Sequence, residues 1–153
     1  LGRFRNLLVK NGLQEKLFSQ VVVLLMERGL ILKKGTIVDS TIISAPSSTK
    51  NKDKQRDPDA HQVKKGNTWH FGYKAHVGVD KDSGIVHTIK VTAANQHDVS
   101  MTSELLTGEE TVVKGQLRYR KTRYRGRQKQ TAKLNMMFAM ANLILADRPG
   151  LAV

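Results

Sequence analysis

The residue in this sequence that most invites a chemical reading is Asp39, set inside GTIVDSTIIS, residues Gly35 to Ser44. That run is rich in β-branched side chains and just long enough for a buried strand. A carboxylate in such a strand costs several kcal/mol unless it is hydrogen-bonded, paired or bound to a metal. Two readings follow from the residues alone. Asp39 either ligates a metal, or it has a structural place at a strand end or against a neighbouring hydroxyl such as Ser40 or Thr41. Metal-assisted phosphoryl transfer needs several converging carboxylates around Mg²⁺, so a single Asp does not make a site.

The histidines are His61, His70, His76, His87 and His97. His70 and His76 fall on the same face of a strand, but at strand rise they stand about 20 Å apart, too far to share one zinc ion. The sequence therefore places them as surface residues of a polar face. Asp80, Asp82, Ser83 and Gly84 have the residue types of a hairpin turn.

The third candidate is electrostatic. Between Lys114 and Lys129 there are eight Lys or Arg residues, two interleaved tyrosines and no acidic side chain. Lys114, Arg118, Arg120, Lys121, Arg123, Arg125 and Arg127 suit phosphate contacts, and Tyr119 and Tyr124 suit stacking on bases or packing against a nucleic-acid backbone. The whole chain carries 26 Lys and Arg against 13 Asp and Glu, a formal net charge of +13, so its partners are polyanions and nucleic acid comes first.

The elements that must position these groups read as α/β. Apolar residues Leu13, Leu17, Phe18, Val21, Leu24 and Leu25 follow helical spacing from Asn11 to Arg28, with Gly29 as a stop. A strand is predicted near 36 to 43, followed from 46 to 68 by a polar loop or mobile insert. Trp69, Phe71, Tyr73, Ala75, Val77 and Val79 alternate with His70, Lys74, His76 and Asp80, which predicts an amphipathic strand over 69 to 79. With a turn at Lys81 to Gly84 and a strand over 85 to 93, this segment forms a β-hairpin. A short helix capped by Asp98 or Ser100 runs through Leu106 and ends at Gly108. A last helix spans Thr131 to Ala146, on the spacing of Leu134, Met137, Phe138, Ala141 and Leu145.

The 153 residues suffice for one domain. The absence of cysteine excludes a disulfide framework and thiolate metal sites, which makes the cytosol the default compartment. The longest apolar run, Val21 to Met26, is too short to span a bilayer, so no membrane association is expected. A start at Leu1 points to a fragment of a longer reading frame.

Three stretches, GTIVDSTIISAPSSTKNKD, KKGNTWHFGYKAHVGVDKDSGIVHTIKVTAANQHD and YRKTRYRG followed by KLNMMFAMANLILADR, resemble insertion-sequence transposases of the IS-five type, and with RFRNLLVKNGL and MERGLILKKGT the resemblance covers nearly the whole chain. It implies an RNase H-like core of the DDE class, in which Asp39 is the first of three acidic residues holding two divalent metals, Mg²⁺ or Mn²⁺. It also implies DNA, in the form of transposon ends, as partner, alongside homo-oligomers or a full-length transposase.

The family's second Asp belongs to a D-x-G-Y motif and its Glu to an R-x-x-V-E-H type helix. Neither motif is present: the chain runs from LLTGEE through Thr111, Val112 and Val113 into VKGQLRYRKTRYRG. The resemblance therefore implies an internal deletion near residues 110 to 114, with Glu109 and Glu110 belonging to the upstream stretch. The expected architecture is a helical segment over 1 to 34, the first part of a partial RNase H-like core over 35 to 110 with a three-stranded antiparallel sheet, and a basic segment with a C-terminal helix over 111 to 153. The expected function is that of a defective transposase, inactive alone. The alternative is a non-enzymatic DNA-binding protein that interferes with full-length transposase. Loss of the strand that carries the second Asp should leave residues 36 to 43 as an exposed apolar edge.

Overall fold

A computed structural model describes residues 2–32, 34–50, 54–106, 108 and 126–147, together with the backbone of 112–114. Helices α1 (Gly2–Lys10) and α2 (Leu13–Glu27) meet at Gly12, whose φ of +62° is the left-handed conformation that glycine adopts without penalty. The second helix was legible from its spacing, but its inner stripe is rotated. Phe18, Val21, Val22 and Leu25 enter the core, while Leu13, Leu17 and Leu24 stay partly exposed.

Five strands form one sheet. Strand β1 (Gly35–Ser44) runs antiparallel to β3 (Thr68–Asp80), with Cα partners from Thr36 and Asp80 to Ser44 and Gly72. Strand β4 (Val86–Ala93) pairs antiparallel with the second half of β3, with an irregularity between Gly78 and Val79. These three strands are the antiparallel core expected from the sequence.

Two further strands extend that core. Residues His61–Lys65, expected within a loop, form β2 and pair with the first part of β3, so that β2 and β4 lie end to end along one edge of it. Val63 is the one apolar side chain in β2. Its strand state therefore comes from the backbone hydrogen bonds that the long β3 offers, which no period in the sequence encodes. On the other edge, β5 (Val112–Lys114) runs parallel to Gly35–Ile37 of β1. The predicted open edge over 36 to 43 is thus covered at Thr36 and Ile37, and among the described residues no strand pairs with the remainder.

Strand alternation sorts the side chains of β1, β3 and β4 onto two faces. One face carries Ile37, Asp39 and Ile43 with Tyr73, Ala75, Val77, Val79 and Ile89. Its apolar members join Phe18, Val21, Val22 and Leu25 of α2 and Leu134 and Ala139 of α4 (Arg127–Ala146) in the main core. The other face carries Thr36, Ser40, Lys74, His76 and Thr92 and lies against α3 (Asp98–Leu105), which buries Met101 and Leu105.

Where α4 meets the sheet the contact is polar. Asn142, fully buried, accepts a hydrogen bond from the Val86 N–H at 3.0 Å and donates one to the Val86 carbonyl at 2.7 Å. One side-chain amide thereby mimics a neighbouring strand at the edge of β4. Gln130 and Asn135 are also buried along this helix, while Met137, inside the predicted apolar stripe, is 37% exposed. The chain chose its packing face by amide placement as much as by apolar spacing.

Candidate functional site

Asp39 sits at the middle of β1 opposite Val77, partly buried. Of the two readings its sequence context allowed, the hydroxyl partner is not what the carboxylate finds. It accepts from the backbone N–H of Ser40, while Oδ2 is buried with no hydrogen-bond partner. Burial raises its pKa above the usual value of 3.8, and Asp98 adds a smaller push in the same direction. The Ser40 N–H and the positive charge of Lys65 pull the other way without cancelling the effect of burial.

Directly behind Asp39, Ser40 projects to the opposite face and hydrogen-bonds the carboxylate of Asp98. There a second polar cluster forms. Lys74 donates to the Gln96 carbonyl at 2.6 Å and lies 2.9 Å from Asp98 Oδ1. His76 Nδ1 is 3.9 Å from the same oxygen, and its Nε2 shares a 2.9 Å hydrogen bond with the Thr92 hydroxyl. Burial works against the charge on Asp98, but the hydrogen bonds from Lys74 and Ser40 together with their positive neighbours outweigh it, so its pKa falls below 3.8. Burial likewise lowers the pKa of His76 below 6.5.

Two expectations are corrected here. His76 and His87 were placed on a polar surface, yet both are buried, His87 with its Nε2 3.2 Å from the Thr36 hydroxyl. The lattice of hydroxyls on α3's side of the sheet lets imidazoles enter the interior with partners. The helix cap expected at Asp98 or Ser100 is not formed by Asp98. It is the first residue of α3, His97 precedes it without a side-chain cap, and the Asp98 carboxylate turns back to Lys74 and Ser40. Its signal in the sequence was the Lys74 and His76 pair on one strand face, which leaves a cation in need of a carboxylate.

The fit of this site to divalent metal rests on Asp39. An orphaned carboxylate oxygen is a suitable ligand, but Mg²⁺ takes a near-octahedral oxygen set and a metal pair requires carboxylates from several positions. No group of three or more His, Asp or Glu side chains that could hold a metal occurs among the described residues, and Asp98, the acidic group that acts on Asp39's ionisation, hydrogen-bonds Ser40, whose side chain is on the opposite face. These residues do not fit a two-metal centre.

Of the predicted DNA contacts, Arg118, Arg120, Lys121, Arg123, Tyr124 and Arg125 and the side chain of Lys114 lie outside the described residues, as do Glu109 and Glu110. Arg127 is the first residue of α4, and its backbone N–H donates to Asp59 Oδ2 at 3.2 Å. Sequence reasoning missed what holds this junction. Asp57, buried within the supposed loop, accepts from the Tyr73 hydroxyl at 2.5 Å and from the Gly126 N–H at 2.6 Å. Two acids that close a polar loop thus neutralise the first amides of a distant helix, at the end of the basic segment.

No described helix is long and apolar enough to cross a membrane. No solved structure matches the chain. A family model, that of the transposase DDE domain, matches residues 31–113, from the approach to β1 into β5 and over half of the sequence. That span contains Asp39, the β1–β3–β4 sheet and α3, and on this match the chain belongs to the transposase DDE domain family.

Proposed function

We propose that this chain is a defective DNA transposition protein of the IS-five type, which engages transposon ends through its basic segment and does not cleave or join strands by itself. The observation that carries this reading is the isolation of Asp39. It takes the position of the first acidic residue of the triad by resemblance, and no cluster of three metal-ligating side chains accompanies it among the described residues. The sheet order supports a partial RNase H-like core. β5 runs parallel to β1 on the side away from β3, where the family carries its second Asp, yet β5 is the three residues Val112–Lys114 and includes no carboxylate. That arrangement supports an internal deletion closing near residues 110 to 114. The Mg²⁺ or Mn²⁺ of the family would then need carboxylates from a full-length transposase or a second copy of the chain.

A second reading, a non-enzymatic DNA-binding protein that competes with full-length transposase, is favoured by the net charge of +13. The deciding experiment is a strand-cleavage and joining assay on DNA bearing the element's ends with Mg²⁺ or Mn²⁺, comparing the chain with Asp39→Ala. The expected outcome is no cleavage by either, alongside binding through about six phosphates whose log K falls with log salt at a slope near −5. Cleavage that the variant loses would overturn the defective reading, and a flat salt response would remove DNA as partner.

A further inference from the structure

The hairpin formed by β2 and the first part of β3 is not accounted for by any role assigned above. Its strands pair from His61 and Gly72 to Lys65 and Thr68, closed by Gly66 at φ +61° and Asn67. Lys64 and Lys65 are exposed at its tip. Trp69, the one tryptophan of the chain, is 65% exposed, although an indole is among the side chains that gain most from burial. It is the direct cross-strand partner of Lys64, so the ring and the ammonium stem lie side by side on one face. From Ala60 to Val79 there is no acidic residue, and the two acids just before, Asp57 and Asp59, are engaged by the start of α4.

Resting on the transposase reading above, we propose that this hairpin is a second DNA-contact element: Lys64 and Lys65 hold the phosphate backbone while the Trp69 indole stacks on an unpaired base at a single-stranded or frayed DNA end. A two-stranded ribbon has the dimensions to enter a DNA groove. A flat aromatic ring stacks on any base, and the flanking cations fix the strand.

Because Trp69 is the only tryptophan, selectively excited fluorescence reports on this ring alone. The full chain is titrated with a fluorescently labelled single-stranded oligonucleotide and with a blunt duplex of matching sequence, following label anisotropy and tryptophan emission together. The expected result is quenching that tracks the binding curve, stronger with the single strand, and protection of the indole from acrylamide. Trp69→Ala should weaken single-strand binding about tenfold, with Trp69→Phe recovering part of the loss. Lys64→Gln with Lys65→Gln should flatten the salt slope by roughly one unit per lysine. Binding with unchanged emission and acrylamide access would overturn the hairpin assignment and leave the DNA-binding reading standing. No binding to either DNA would overturn both.

Discussion

Asp57 Oδ2 lies 2.6 Å from the backbone nitrogen of Gly126, a hydrogen bond between residues 69 positions apart in the chain. The same oxygen takes the Tyr73 hydroxyl at 2.5 Å. One buried carboxylate therefore ties the central strand, the insert and the start of α4 together. Burial, followed by the hydrogen bond to Asp57, drives the Tyr73 pKa well above its ordinary value of 10.0, so the phenol stays protonated and remains a donor.

Replacing Asp57 with Ala strands a buried hydroxyl and a helix-terminal N–H. The expected loss is about 3 kcal/mol of unfolding free energy, read from urea denaturation. Tyr73→Phe should cost less, since Asp57 keeps Gly126 as a donor. A loss from Asp57→Ala no larger than that of an exposed Asp would contradict the pinning role.

Asn142→Leu removes both hydrogen bonds to Val86 and leaves the backbone N–H and carbonyl of that residue buried and unpaired. The expected destabilisation is about 2 to 4 kcal/mol, with faster amide exchange at Val86 as the local signature. Unchanged exchange at Val86 would mean that the amide is replaceable by apolar packing.

A Cβ built at Gly72 would stand 2.1 Å from the Ile43 carbonyl oxygen, a backbone atom that cannot rotate away. Gly72→Ala should therefore part β1 from β3 locally and cost about 3 kcal/mol in chemical denaturation. Retention of wild-type stability would show that the strands separate there without penalty.

The pKa of His76 is held below 6.5 in the folded protein, so protons bind the unfolded chain more readily. Stability is complete above the unfolded value and declines as pH falls below about 6.5, at no more than about 1.4 kcal/mol per pH unit. Asp39 acts in the opposite sense, because its raised pKa favours the folded state on acidification. The comparison of melting temperature against pH for the wild type and His76→Gln isolates the histidine: the variant's curve should be flatter just below pH 6.5. Parallel curves would refute the assignment.

Asp39→Asn removes a partly desolvated charge with an unpartnered oxygen and should stabilise the chain at neutral pH by up to about 1 kcal/mol. The gain should shrink as pH falls, because wild-type Asp39 then takes up a proton in the folded state. Destabilisation at neutral pH would show that the ionised carboxylate is matched by a partner that compensates its burial.

The sequence by itself determined the local periods and the chemistry at single positions. The alternation from Trp69 to Asp80, the β-branched run around Asp39 and the helical spacing of Phe18, Val21 and Leu25 each follow from side chains a few residues apart, which is the range over which burial leaves a period. Asp39 was legible because a carboxylate amid Ile and Val has few inexpensive explanations. What only the tertiary structure decided are pairings over long separations. β2 becomes a strand because β3 is long enough to pair with it. Asp57 is buried because Tyr73 and Gly126 converge on it, and Asp98 faces Lys74 instead of capping its own helix. His76 and His87 are interior because Thr92 and Thr36 wait across the sheet. β2 pairs with β3 as a local hairpin over separations of 3 to 11 residues, whereas the contacts of Asp57, Asp98, His76 and His87 join groups 16 or more residues apart, and a one-dimensional pattern carries no record of which ends will meet.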